Sequence, residues 1–69
     1  MSADVLRRRD PEGFFVIPAR REALEVLARF REGLIIEDAG SLILVKTRSR
    51  SLASKIYRRL AARNMIAVP

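Results

Sequence analysis

The sequence contains no cysteine and no histidine, and the two absences remove whole classes of chemistry. Without cysteine no disulfide can brace a small fold. Without thiolate or imidazole, structural zinc, iron–sulfur clusters and most transition-metal sites lack their usual donors. Nucleophilic or acid–base catalysis would be left to carboxylates, Lys46, Lys55, Tyr57 and a few hydroxyls. Glu37 and Asp38 are adjacent, but neighbours at a strand end point to opposite faces and do not converge on one substrate atom. They read as turn residues. Gly13, Gly33 and Gly40 are too scattered for a phosphate-cradling loop, and no nucleotide-binding fingerprint occurs. The expectation is a non-enzyme, with no catalytic residue, no metal site and no cofactor.

Long apolar runs are also scarce. Stretches such as Phe14 to Ile17 and Leu42 to Val45 reach four residues, far short of the roughly 18 needed to span a bilayer. Arg7, Arg8 and Arg9 are followed by Asp10 and Pro11 where a secretory signal needs an apolar region. The expectation is a cytoplasmic protein without a membrane role. Glycine and proline are few, three of each, while hydrophobic residues make up 49% of the chain. That balance describes a folded domain rather than a disordered segment.

The 69 residues allow one small domain, which buries only about 60% of the surface its unfolded chain exposes. Help from self-association or a partner is therefore expected. Residues 1–13 combine high charge with Pro11 and Gly13 and read as a charged tail or short helix. Residues 14–69 read as the domain.

Within that domain Phe14 to Ile17 is aromatic and β-branched, follows a glycine and stops at Pro18, as a short strand does. From Arg20 to Glu32 the period changes: Ala23, Val26, Leu27 and Phe30 fall on one side of a helix, and Gly33 suits its left-handed end. Leu34 to Glu37 and Leu42 to Thr47 are apolar runs around Asp38 to Ser41, which reads as the turn of a hairpin. Thr47, Ser49 and Ser51 offer capping hydroxyls for a second helix with Leu52, Ala53, Ile56, Tyr57 and Leu60 on its apolar side. Asn64 can close that helix, leaving Met65 to Val68 as a last strand.

Strand, helix, strand, strand, helix, strand is the ferredoxin-like βαββαβ order, an α+β fold with a four-stranded antiparallel sheet and two helices on one face. RNA-recognition motif domains share this order and stack bases on aromatic residues of their central strands. Here Gly40 to Thr47 reads GSLILVKT, with no aromatic, so that binding mode is not expected. An uncovered sheet face should read polar, yet three strands are apolar at consecutive positions. Leu42, Leu44 and Lys46, with Ile35 and Glu37, form the side expected to be open. Ile35, Leu42 and Leu44 are thus candidate interface residues for a homodimer or a protein partner.

Charge is unevenly placed. Residues 1–38 carry seven basic and eight acidic side chains and residues 39–69 seven basic and none acidic, giving −1 and +7. Such a block suits a polyanion, because each cation that meets a phosphate releases a condensed counterion. On a helical wheel Lys55, Arg58 and Arg59 lie opposite the apolar side, with Arg63 at a flank and Arg48 and Arg50 at the helix start. Twelve of the fourteen basic residues are arginine, which grips phosphate with two parallel hydrogen bonds and can stack on an unpaired base. These six residues, with Arg7, Arg8 and Arg9 as further tail contacts, form the candidate nucleic-acid surface, RNA being favoured over DNA. The alternatives are a solvated basic face and a dimerisation or assembly module that works through the apolar sheet face.

Overall fold

The computed structural model describes residues 9–30 and 33–67. Burial alternates strictly along two strands, β1 (Phe15–Arg20) and β3 (Leu42–Thr47), as pleat geometry requires when one face is covered. Phe15, Ile17 and Ala19 of β1 and Ile43, Val45 and Thr47 of β3 turn inward, each at most 2% exposed. β2 (Ile35–Asp38) pairs antiparallel with β3, which pairs antiparallel with β1 on its other side. The sheet has three strands in the order β1-β3-β2. Two helices, α1 (Ala23–Leu27) and α2 (Arg50–Ala62), complete an α+β fold. Ala23 and Leu27 of α1 join Ala53, Ile56, Tyr57 and Leu60 of α2 in a single core with the inward strand residues. No helix among the described residues is long and apolar enough to cross a membrane.

Pro18 was expected to end the first strand, but β1 runs through it to Arg20. The Pro18 carbonyl accepts a hydrogen bond from Ala67 N at 3.0 Å. The nitrogen and carbonyl of one strand residue face the same way, so the missing N–H is turned toward residues 65–67 and the β1–β3 ladder loses nothing.

A second departure involves the same proline. The strand expected over Met65 to Val68 is reduced to one antiparallel bridge, Ala19 opposite Ile66. Arg20 N donates to Met65 O at 2.8 Å and Ala67 N donates to Pro18 O. Pro18 cannot return the second bond of the pair it makes with Ala67. Val68 lies outside the described residues. Among the described residues there are three strands and a bridge in place of the expected four-stranded sheet.

The first helix is also shorter than the 20–32 periodicity implied. Glu22 precedes α1 without a side-chain capping bond, and the chain tightens into a 3-10 turn over Ala28–Phe30. Helical segments this short depend on packing, and the buried Ala23 and Leu27, with Val26 and Phe30 packed against the core beside them, supply it. Arg31 and Glu32 lie outside the described residues.

Candidate functional site

α2 has well-formed ends. Ser49 caps it by accepting from Leu52 N at 3.2 Å, and Thr47 Oγ1 accepts from Ser49 N at 3.1 Å. At the other end Asn64 takes a left-handed φ of 58°. Met65 N then donates to Leu60 O at 2.8 Å and Asn64 N to Ala61 O at 3.1 Å, the paired bonds of a Schellman closure. Both ends being tied, burial of Ala53, Ile56, Tyr57 and Leu60 fixes which way the opposite face points.

Lys55, Arg58, Arg59 and Arg63 are all exposed on that opposite face. Lys55, Arg59 and Arg63 recur every four residues and form a stripe along the axis, and a shallow groove is lined by Lys55, Arg58, Arg59 and Ala62. None of these four cations makes an ion pair among the described residues. The three arginines also sit toward the C-terminal end of α2, where positive charge is favourable to the helix dipole.

Arg48 and Arg50 do not continue this stripe. Arg48 stacks over Phe14, its guanidinium carbon 4.4 Å from the ring centroid, and its Nη2 donates to Glu12 O at 3.4 Å. Arg50 lies 5.9 Å from the Phe15 centroid and Arg9 4.5 Å from the same ring. The structure thus gathers Arg9, Arg48 and Arg50 around two adjacent phenylalanines at the start of α2, as a second cationic group. The segment before them is shaped by Asp10, whose Oδ1 accepts from Glu12 N and Phe14 N at 3.0 and 2.8 Å. Arg7 and Arg8 lie outside the described residues.

A cleft between the helices adds residues the sequence did not single out. Glu22, Glu25, Val26 and Arg29 line one side, Arg59, Arg63 and Met65 the other. Arg59 is held with its guanidinium carbon 5.6 Å from the centroid of Phe30. One signal for this was present in the element order. β1 and β3 are antiparallel, so the helices that follow them return in opposite directions, and the start of α1 meets the end of α2.

The apolar candidates divide by pleat. Leu42 and Leu44 are half-buried and Ile35 is 47% exposed, all on the uncovered face with Val16 and Pro18. Lys46 stands among them, and its Nζ lies 2.7 Å from Glu37 Oε1. The hydrogen bond to Glu37 raises the Lys46 pKa above the ordinary lysine value, against a smaller opposing effect of desolvation. Ile36 faces the helix side yet remains 41% exposed, beside Leu24 at 42%, because the short α1 does not reach over β2.

No protein-family model matches the chain, and no curated protein or solved structure matches it.

Proposed function

We propose that the chain is a small, non-catalytic nucleic-acid-binding protein of the cytoplasm, with RNA or a ribonucleoprotein as its partner, and that α2 meets the phosphates. The observation that carries this reading is the exposed set Lys55, Arg58, Arg59 and Arg63, none of them ion-paired among the described residues. Arg9, Arg48 and Arg50 extend the positive surface beyond the helix start. In the same reading the fold is ferredoxin-like, with Ile66 marking the place of its fourth strand.

Fluorescence anisotropy with single-stranded RNA and duplex DNA, at several salt concentrations, tests it. Four phosphate contacts give a slope of log affinity against log salt of about −3 to −4. Reversing Lys55, Arg58 and Arg59 to Glu removes most of that slope. Binding that is unchanged by the triple reversal overturns the reading.

A second reading is a homodimeric assembly module or accessory subunit working through the uncovered sheet face. It is favoured by Ile35, Leu42 and Leu44 around an ion pair, Lys46–Glu37, that leaves the centre of the face without net charge. In sedimentation, Leu44→Lys then lowers the assembled fraction with an unchanged circular dichroism spectrum. A wild-type chain that sediments as a monomer up to high concentration, and holds no protein partner, sinks this alternative.

A further inference from the structure

The cleft between α1 and α2 has a volume of about 280 Å³, near the lower end of small-molecule sites. Its walls differ in sign. Glu22, Glu25 and Arg29 line it from the α1 side and Arg59 and Arg63 from the α2 side, with Val26 and Met65 also in the lining. Opposite charges this close commonly satisfy one another, yet among the described residues none of these five makes an ion pair. Stacking over Phe30 holds Arg59 in place. The site therefore offers carboxylates that can accept and guanidiniums that can donate, around half-buried apolar side chains.

We propose that this cleft takes one unpaired nucleotide of an RNA strand, with its phosphodiester on Arg29, Arg59 and Arg63 and a donor-bearing base edge on Glu22 and Glu25. The inference rests on the RNA-binding reading above and adds base preference to it. Three arginines and two glutamates leave one net positive charge in the cleft, which one phosphodiester neutralises. An ionised carboxylate is an acceptor only. It therefore favours bases that present amino N–H groups, adenine and cytosine, and above all guanine with its paired imino and amino N–H, and disfavours uracil, whose edge is mostly carbonyl. The base and sugar pack against Val26 and Met65. Arg59 also lines the outer groove with Lys55 and Arg58, so a strand running along α2 leads directly into the cleft.

The probes are a labelled ten-residue oligouridine and the same strand with one central guanosine. The wild-type chain is expected to bind the guanosine strand about tenfold more tightly, in keeping with one good base-edge contact. Replacing both Glu22 and Glu25 by Ala abolishes the preference while oligouridine binding stays the same or tightens, since two negative charges leave a polyanion site. Arg29→Gln weakens both strands together. Circular dichroism confirms that each variant is folded, and Glu22 makes no capping bond whose loss would disturb α1. Equal wild-type binding of the two strands, or a preference that survives the double substitution, overturns the inference and leaves the α2 reading standing. Binding of neither strand at low salt, as a cleft built for a protein surface would give, overturns both.

Discussion

Lys46 Nζ sits 2.7 Å from Glu37 Oε1 in the middle of the uncovered sheet face, among Val16, Ile35 and Leu44, with the lysine side chain 15% exposed and the glutamate 51%. The register explains the difference. Lys46 lies in the central strand between Val16 and Ile35, which shield its stem, whereas Glu37 stands on the edge strand and reaches diagonally across to it.

The hydrogen bond to Glu37 raises the Lys46 pKa in the folded state. The stabilisation it brings is fully present below the unfolded lysine pKa and is lost as pH rises through the raised folded value. Melting temperatures measured from pH 8 into the alkaline lysine range should therefore fall more steeply for wild type than for Glu37→Gln. A difference between the two that stays constant with pH would show that the pair does not hold in solution.

Asp38 works at the opposite end of the pH scale. Arg21 Nη1 donates to its Oδ1 at 3.0 Å and to Gly40 O at 2.9 Å, and Gly40 N donates to the same carboxylate oxygen at 2.9 Å. The Arg21 hydrogen bond, then the Gly40 N–H, then the Arg21 charge hold its pKa below the ordinary value. The resulting stability is present above the unfolded aspartate pKa and disappears as pH falls through the folded one. Asp38→Asn keeps an acceptor for Gly40 and loses the charge, so it should flatten acid denaturation below about pH 4. Asp38→Ala, which also opens the turn, should be less stable than Asp38→Asn at neutral pH. Equal neutral-pH stability of the two would show that the turn bond contributes nothing.

Some of this architecture was legible because a residue type carried its own geometry. Asn64 and Gly33 both take positive φ where a helix end was read. Alternation along Leu42 to Thr47 placed Leu44 and Lys46 on the uncovered side and Val45 on the covered one. The misreadings have a common physical origin, dependence on a distant partner. Pro18 stays in its strand because its nitrogen faces residues 65–67, a fact no local pattern contains. The stacking of Arg48 over Phe14 and the approach of Arg50 to Phe15, at the helix start, likewise depend on residues distant in the sequence. Arg29 is exposed yet lines the cleft, through the way α1 packs beside α2.

Asn64 gives a test of the helix closure. At φ 58° a side chain with a Cβ is strained, by roughly 1–2 kcal/mol for ordinary residues, while asparagine tolerates the conformation and glycine has no penalty. Asn64→Gly should leave stability unchanged or raise it slightly, and Asn64→Ala should lower it by about 1 kcal/mol in urea denaturation. The order of the two variants is the informative result, because alanine has the higher helix propensity. An alanine variant more stable than the glycine one would mean that α2 continues past Arg63 instead of closing there.

Pro18 leaves one hydrogen bond unmade where the chain pairs after α2. Ala67 N donates to its carbonyl at 3.0 Å, and a residue with its own N–H at position 18 could complete the pair with Ala67. Pro18→Val supplies that donor and a β-favouring side chain on the uncovered face. The added hydrogen bond contributes about 1 kcal/mol, and the lost rigidity of the unfolded chain offsets about 0.4–1 kcal/mol of it. Global stability should therefore move little. Amide hydrogen exchange reads the local change instead: Ala67 and Arg20 should exchange more slowly in Pro18→Val than in wild type, since the bridge at Ala19 and Ile66 becomes part of a longer ladder. Faster exchange at Ala67 would show that the proline ring, by packing on the segment, holds the bridge together rather than weakening it.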